Sequence, residues 1–162
     1  MSYLNKIMTV DQAAARLQEL AAAGLKSVFT NGCFDLLHPG HLRYLAEARS
    51  LGDFLLVGLN SDRSISALKG PSRPVCPEPV RAEMLAGLAA VDSVVIFDED
   101  TPFDLISAVK PDILVKGGDW PIEKIIGADL VLARGGEVKS LLLAEGYSTT
   151  SLIEHILKHP SA

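Results

Sequence analysis

The sequence predicts an α/β fold built on one doubly wound, mostly parallel, five-stranded sheet. Three observations predict it. Apolar runs alternate with segments of helical spacing along the chain, with no internal repeat or low-complexity tract. That order builds a parallel sheet with right-handed crossovers. The interior of Asp53–Leu59 is continuously apolar, as in a strand covered on both faces. Finally, Ser27-Val28-Phe29 runs through a glycine-bearing loop into a helix start. The 162 residues, 48% of them hydrophobic, suffice for a single domain, residues 1–162, with a proper core.

Each element has its own signal. Thr9 and Gln12 have capping-box spacing, so a helix opens there and runs to Gly24, a C-terminal stop. Its apolar face is expected on the sheet or at a subunit contact. Strand Ser27–Phe29 follows, then the loop to His41 and a helix over Leu42–Arg49. Strand Asp53–Leu59 ends at Asn60-Ser61-Asp62, which caps a helix through Ile65 and Leu68. The stretch Lys69–Pro79 holds four prolines and a glycine, which bars a helix or inner strand. A helix is expected over Val80–Ala89 and a strand over Val91–Phe97. Thr101 caps a helix with Pro102 at its first position, ending near Lys110. Asp112–Lys116 is a fourth strand and Ala128–Ala133 a fifth. Glu137–Leu143 is a short strand that pairs with the fifth or lies near the edge. A last helix starts among Ser148, Thr149, Thr150 and Ser151.

The chemistry concentrates in Gly32-Cys33-Phe34-Asp35-Leu36-Leu37-His38-Pro39-Gly40-His41. His38 and His41 stand at i and i+3, neighbours on one helix face. Gly40 between them allows close approach to the backbone. A helix start offers free N–H groups and the positive end of the dipole, so it favours phosphate. The cations Lys69 and Arg73 in the proline-rich stretch suit a flap over phosphates. Arg81, in the first turn of the next helix, opposes the dipole, so a partner is expected, and a bound anion would serve. Asn60 and Asp62 end a strand at the ligand-binding edge of the sheet; they read equally as caps and as ligand contacts. Gly117 and Gly118 after the fourth strand suggest close approach, and Trp120 reads as packing or as a substrate contact. Four hydroxyls at the last helix start exceed what capping needs.

Composition narrows the partners. A net charge of −5 gives no electrostatic case for nucleic acid. No apolar run reaches the length of a membrane span, and no signal-peptide pattern opens the chain, so a cytoplasmic location is expected. Cys33 and Cys76 make no metal or disulfide framework. Cys33 reads as a small loop residue rather than a nucleophile. The glycine pattern is not that of dinucleotide binders.

The motif resembles the signature of the cytidylyltransferase-like nucleotidyltransferases, a Rossmann-like fold with an HxGH loop. Similarity extends over about residues 28–156, through Asn60-Ser61-Asp62, Lys69 to Arg81, Lys116-Gly117-Gly118-Asp119-Trp120 and Glu145-Gly146-Tyr147-Ser148-Thr149-Thr150. Within the family, Asn31–Asp35, Leu68–Val75 and Val115–Asp119 look most like the heptose-1-phosphate adenylyltransferases in their stand-alone form. That branch makes ADP-heptose for the lipopolysaccharide inner core. The resemblance implies catalytic roles for His38, His41, Lys69 and Arg81. It implies nucleotide contacts at Asn31, Gly32, Cys33, Phe34, Asp35, Gly40, Lys116, Asp119, Ser148, Thr149 and Thr150. It implies substrate contacts at Asn60, Asp62, Arg73 and Trp120.

The same resemblance implies ATP and a heptose 1-phosphate as substrates, Mg²⁺ carried on the ATP rather than by protein ligands, and a homodimer or higher homo-oligomer. Glycerol-3-phosphate cytidylyltransferases carry an arginine just before their Glu-Gly-Ile-Ser-Thr-Thr run. Here Leu143 and Ala144 hold that place, and no substitute is assigned, Arg134 included. That departure weakens a glycerol-3-phosphate cytidylyltransferase, which stays open as an alternative. So do a CTP- or GTP-using sugar-1-phosphate enzyme and a nucleotide-binding regulator without catalysis.

Overall fold

A computed structural model describes residues 3–143 and 146–159. The sheet has five strands: β1 (Ser27–Gly32), β2 (Phe54–Asn60), β3 (Ser93–Phe97), β4 (Ile113–Gly117) and β5 (Glu137–Leu141). Their spatial order is β3-β2-β1-β4-β5 and every pairing is parallel. The chain builds outward from β1 to β3, then crosses back to lay β4 on the other side of β1. This reversal leaves a crevice at the carboxyl ends of β1 and β4, where open α/β sheets bind ligands.

Among the described residues, seven α-helices connect and flank the strands: α1 (Val10–Ala22), α2 (Pro39–Arg49), α3 (Asp62–Lys69), α4 (Glu78–Ala86), α5 (Phe103–Val109), α6 (Ala128–Ala133) and α7 (Thr149–Lys158). Successive strand residues point to opposite faces, and each face has its own core. Phe29, Leu56, Val95 and Leu114 join α1, α5 and α6 on one side. Val28, Leu55, Val57, Val94, Ile113 and Val115 join α2 and α4 on the other. The capping box of Thr9 and Gln12 forms as the spacing predicts. The apolar face of α1, Ala13, Leu17 and Leu20, is buried in this chain's own core, so that stripe is not free for a subunit contact.

Three expectations need correction. Residues 128–133 form helix α6, not a strand. A short apolar run does not distinguish the two by periodicity, but parallel neighbours need a crossover element. Gly127, at φ 84°, turns the chain into that helix with Ala128 and Val131 facing the core. The fifth strand is therefore Glu137–Leu141, at the sheet edge beside β4. At α5 the cap is Pro102 and not Thr101, with Phe103 the first helical residue. Finally, β1 continues to Gly32, because Thr30, Asn31 and Gly32 find partners on β2.

Candidate active site

The end of β1 delivers the site. After Gly32 the chain bends at Phe34, whose φ of 43° is in the left-handed region, uncommon for a bulky residue and a mark of functional sites. A Cβ on Gly32 would lie 3.0 Å from the Phe34 ring. His38 is the N-cap of α2, in extended conformation, and its side chain makes no cap bond. Both imidazoles thus stay available. Their rings stack at 3.8 Å between centroids with planes at 22°. Both Nδ1 atoms are buried without a hydrogen-bond partner.

Burial holds the His41 pKa down to about 4, with the nearby charges of His38 and Lys69 acting in the same direction. Burial also lowers His38. Both rings are therefore neutral at pH 7, each with one N–H to donate. Lys116 at the end of β4 is lowered by burial too, opposed by nearby Cys33.

A cavity of about 190 Å³ opens in front of His41. It is lined by Asn31, Gly32, Cys33, Phe34, Asp35, Tyr44, Lys69, Arg73, Lys116, Gly117, Leu143 and Thr149 as well. Three cations, Lys69, Arg73 and Lys116, thus line one cavity with His41; His38 does not line it and stands behind His41 in the stack. Arg73 Nη2 is buried without a partner. A buried guanidinium donor left open beside a cavity calls for an acceptor there.

Asp35 lines the cavity and is at the same time a clamp within the protein. Its buried carboxylate accepts from Arg73 Nε at 2.8 Å, Val75 N at 2.9 Å and Cys76 N at 2.8 Å. Burial works to raise its pKa, and these donors outweigh that, leaving it below the usual carboxylate value. Asp35 fastens the loop after α3 over the cavity and orients Arg73.

Arg81 also stands apart from its expected role. It is fully buried and satisfied within the protein. It donates to Cys76 O at 2.9 Å, Cys33 O at 2.7 Å and Asp62 Oδ1 at 2.8 Å. The partner that its place at the start of α4 demanded is this set of acceptors. Asp62 is thereby engaged, and Asn60 donates to Ser64 Oγ at 3.0 Å. Neither lines the cavity. Neither is the cap of α3, which is Ser61, accepting from Ser64 N; Asn60 and Asp62 brace the strand end and the buried Arg81.

The family model described as cytidylyltransferase-like matches residues 29–154. The chain belongs to the cytidylyltransferase-like family. Among curated proteins it is similar to the bifunctional protein HldE of Hyphomonas neptunium, 54% identical over 91% of this chain and 30% of that protein. The bifunctional protein HldE of Syntrophotalea carbinolica is 53% identical over 97% of this chain and 32% of that one. The chain spans about a third of the length of the curated relatives it matches. Among solved structures, the lipopolysaccharide core biosynthesis protein from Thermoplasma volcanium aligns with a TM-score of 0.59. It is 31% identical, over 77% of this chain and 100% of that one.

The cytidylyltransferase-like signature accounts for part of the site, and tertiary packing supplies the rest. Gly40 lets α7 approach α2: a Cβ there would sit 2.9 Å from His38 Nδ1 and 3.2 Å from Tyr147 Cβ. Ser148 caps α7 by accepting from Ser151 N, and Thr149 Oγ1 donates to Leu36 O at 3.3 Å. Only Thr149 of that hydroxyl group lines the cavity. Trp120 lies beside a second cavity of about 170 Å³ that shares Asn31 and Lys116 with the first; its Nε1 donates to Gly117 O. Asp119 lines neither. Of the family departure, Leu143 lines the main cavity, while Ala144, like Glu145, lies outside the described residues.

Two aromatic residues escaped the sequence reading. Tyr44 buries its hydroxyl against Thr30 Oγ1 at 2.6 Å, and burial pushes its pKa up to about 12. Its place one helical step after His41 was a usable signal. Tyr147 is brought to His38 only by the return of the chain, and no local pattern marks it.

Proposed function

We propose that this chain transfers AMP from ATP to D-glycero-D-manno-heptose 1-phosphate, giving ADP-heptose and pyrophosphate for lipopolysaccharide inner-core synthesis. The observation that carries the reading is His41, which lines one cavity with Lys69, Arg73 and Lys116 and stacks on His38, the Nδ1 of each ring being unpartnered. The names of the similar proteins support the same direction.

The sugar phosphate is a monoester with its second pKa near ~6, so it is already an anionic nucleophile at neutral pH. One of its oxygens attacks the α-phosphorus of ATP in line. The bond from that phosphorus to the oxygen bridging to the β-phosphate breaks, and pyrophosphate leaves with the electron pair. No general base is needed. Catalysis rests on positioning and on donors aimed at developing charge. His41 and His38 supply neutral N–H donors, Arg73 Nη2 takes a phosphate oxygen, and Lys69 and Lys116 offset the remaining charge.

Among the described residues, no three His, Cys, Asp or Glu side chains gather as a metal cage. Asp35, the acid in the lining, is engaged by Arg73 and two amides. Mg²⁺ fits here as an ion carried by triphosphate oxygens and water, where it would neutralise phosphate charge. No described helix is long and apolar enough to cross a membrane, and the reading includes a cytoplasmic location. It also includes a homodimer or higher homo-oligomer, which light scattering tests.

The deciding experiment is pyrophosphate release with both anomers of heptose 1-phosphate against ATP, CTP, GTP and UTP. ATP with one anomer is expected to dominate. Turnover of CTP with glycerol 3-phosphate instead would replace the reading with the cytidylyltransferase one. Nucleotide binding without turnover of any acceptor would leave a regulator.

A further inference from the structure

We propose that Tyr147 is a positioning residue that closes a stack over His38 and thereby fixes the start of α7 against the start of α2. The ring of Tyr147 lies 6.0 Å from that of His38 with planes at 18°. His38 in turn stacks on His41. On Tyr147, the guanidinium carbon of Arg43 sits 5.5 Å from the ring centroid. Four planar groups therefore join α2 to the segment before α7.

This contact matters because, among the described residues, no residue of α7 is buried, so apolar burial does not fix the helix. Among the described residues, its anchors include the Tyr147 stack and the Thr149 bond to Leu36 O. Gly40 is the space that admits Tyr147. Stacking and cation–π contacts of this kind are worth about 1–2 kcal/mol together, or roughly fivefold to thirtyfold in an equilibrium.

The ring also keeps water from His38, consistent with the depressed pKa that burial gives this group. The titratable groups facing the stack are the neutral His41 and the cation Arg43 on α2, with Lys69 at the end of α3. Asp35 is engaged by Arg73. Opening the Tyr147 side returns water to His38 and moves its pKa up, toward the ordinary value of about 6.5.

The test uses the full chain with Tyr147→Ala, Tyr147→Leu and Tyr147→Phe. Histidine ring NMR titration reads His38 directly, and the kinetic arm, which rests on the proposed AMP transfer, reads KM for ATP and kcat. Tyr147→Ala is expected to raise the His38 midpoint and to raise KM for ATP about fivefold to thirtyfold, with kcat changed less. Tyr147→Phe is expected to restore both, since the hydroxyl takes no part. Tyr147→Leu keeps bulk without a planar ring and should resemble the alanine variant; it stands in if that variant does not fold. An unmoved His38 midpoint in the alanine or leucine variant overturns the proposal. So does a phenylalanine variant as impaired as the alanine one. If the wild type transfers no nucleotide, the functional reading fails while the titration still decides the stack.

Discussion

Arg81 gives the sharpest prediction, because the motif and the fold assign it opposite roles. As a phosphate ligand it would be dispensable for folding, and its loss would weaken nucleotide binding. In the structure it is instead a brace. Its side chain has 0% exposure, and it ties Cys33 of the motif loop, Cys76 of the proline-rich loop and Asp62 of α3. Arg81→Ala leaves two carbonyls and a carboxylate without their donor. Hydrogen bonds to charged groups contribute about 1.5–3 kcal/mol each. The Asp62 side chain is 39% exposed, so water screens that pair and its share is at the low end. The expected loss is roughly 3–5 kcal/mol, in line with the breaking of buried pairs. That is a large part of the 5–15 kcal/mol typical of a domain. Urea unfolding followed by circular dichroism measures it as a shift in the midpoint at constant slope. Arg81→Lys should recover only part, since an ammonium cannot span three acceptors in a plane. If Arg81→Ala unfolds at the wild-type midpoint while KM for ATP rises at least tenfold, the brace is wrong and the anion role stands.

Other outcomes follow from the same geometry. His41→Ala should lower kcat by about 10²–10³-fold, the value of one donor to developing charge, with the unfolding midpoint preserved; an unchanged kcat removes His41 from the chemistry. Gly40→Ala brings a Cβ within 2.9 Å of His38 Nδ1. It should lower kcat/KM by up to about 10²-fold through misplacement, while helix propensity keeps the melting temperature from falling; equal activity would mean His38 can move without consequence. Acid should destabilise the fold in a defined window. His41 titrates near 4 when folded and near ~6.5 when unfolded. The unfolded chain therefore binds more protons between those values, and stability falls as pH drops through them. Asp35, held below its ordinary pKa, adds a loss at still lower pH. Calorimetric melting from pH 7 to 4 should show this fall, and His41→Gln should flatten it; identical slopes would deny the buried neutral imidazole.

Much of the fold was written locally. The Thr9–Gln12 box, the interior of β2 and the strand-to-helix turn at His38–His41 are signals a few residues long, and each formed where the pattern put it. Residues 128–133, a helix in the structure, are ambiguous in sequence because six residues of mixed apolar character satisfy either periodicity. Their state was decided by the need to cross from β4 to β5.

The site divides in the same way. The paired imidazoles and the cations Lys69, Arg73 and Lys116 were visible as residue types at meaningful positions, because anion chemistry needs donors at a helix start. Sequence alone could not say which cations face the ligand. Arg73 and Arg81 sit in one segment and look alike, yet one keeps a free buried donor beside the cavity and the other is used up inside the protein. The same holds for Asp35, a clamp, and for Tyr147, which meets His38 only after the chain has returned from β5. Residue identity and spacing set which chemistry is possible. Long-range packing set which groups are spent on holding the fold and which stay open to a substrate, since a hydrogen-bonding group buried against protein acceptors has no capacity left for a ligand.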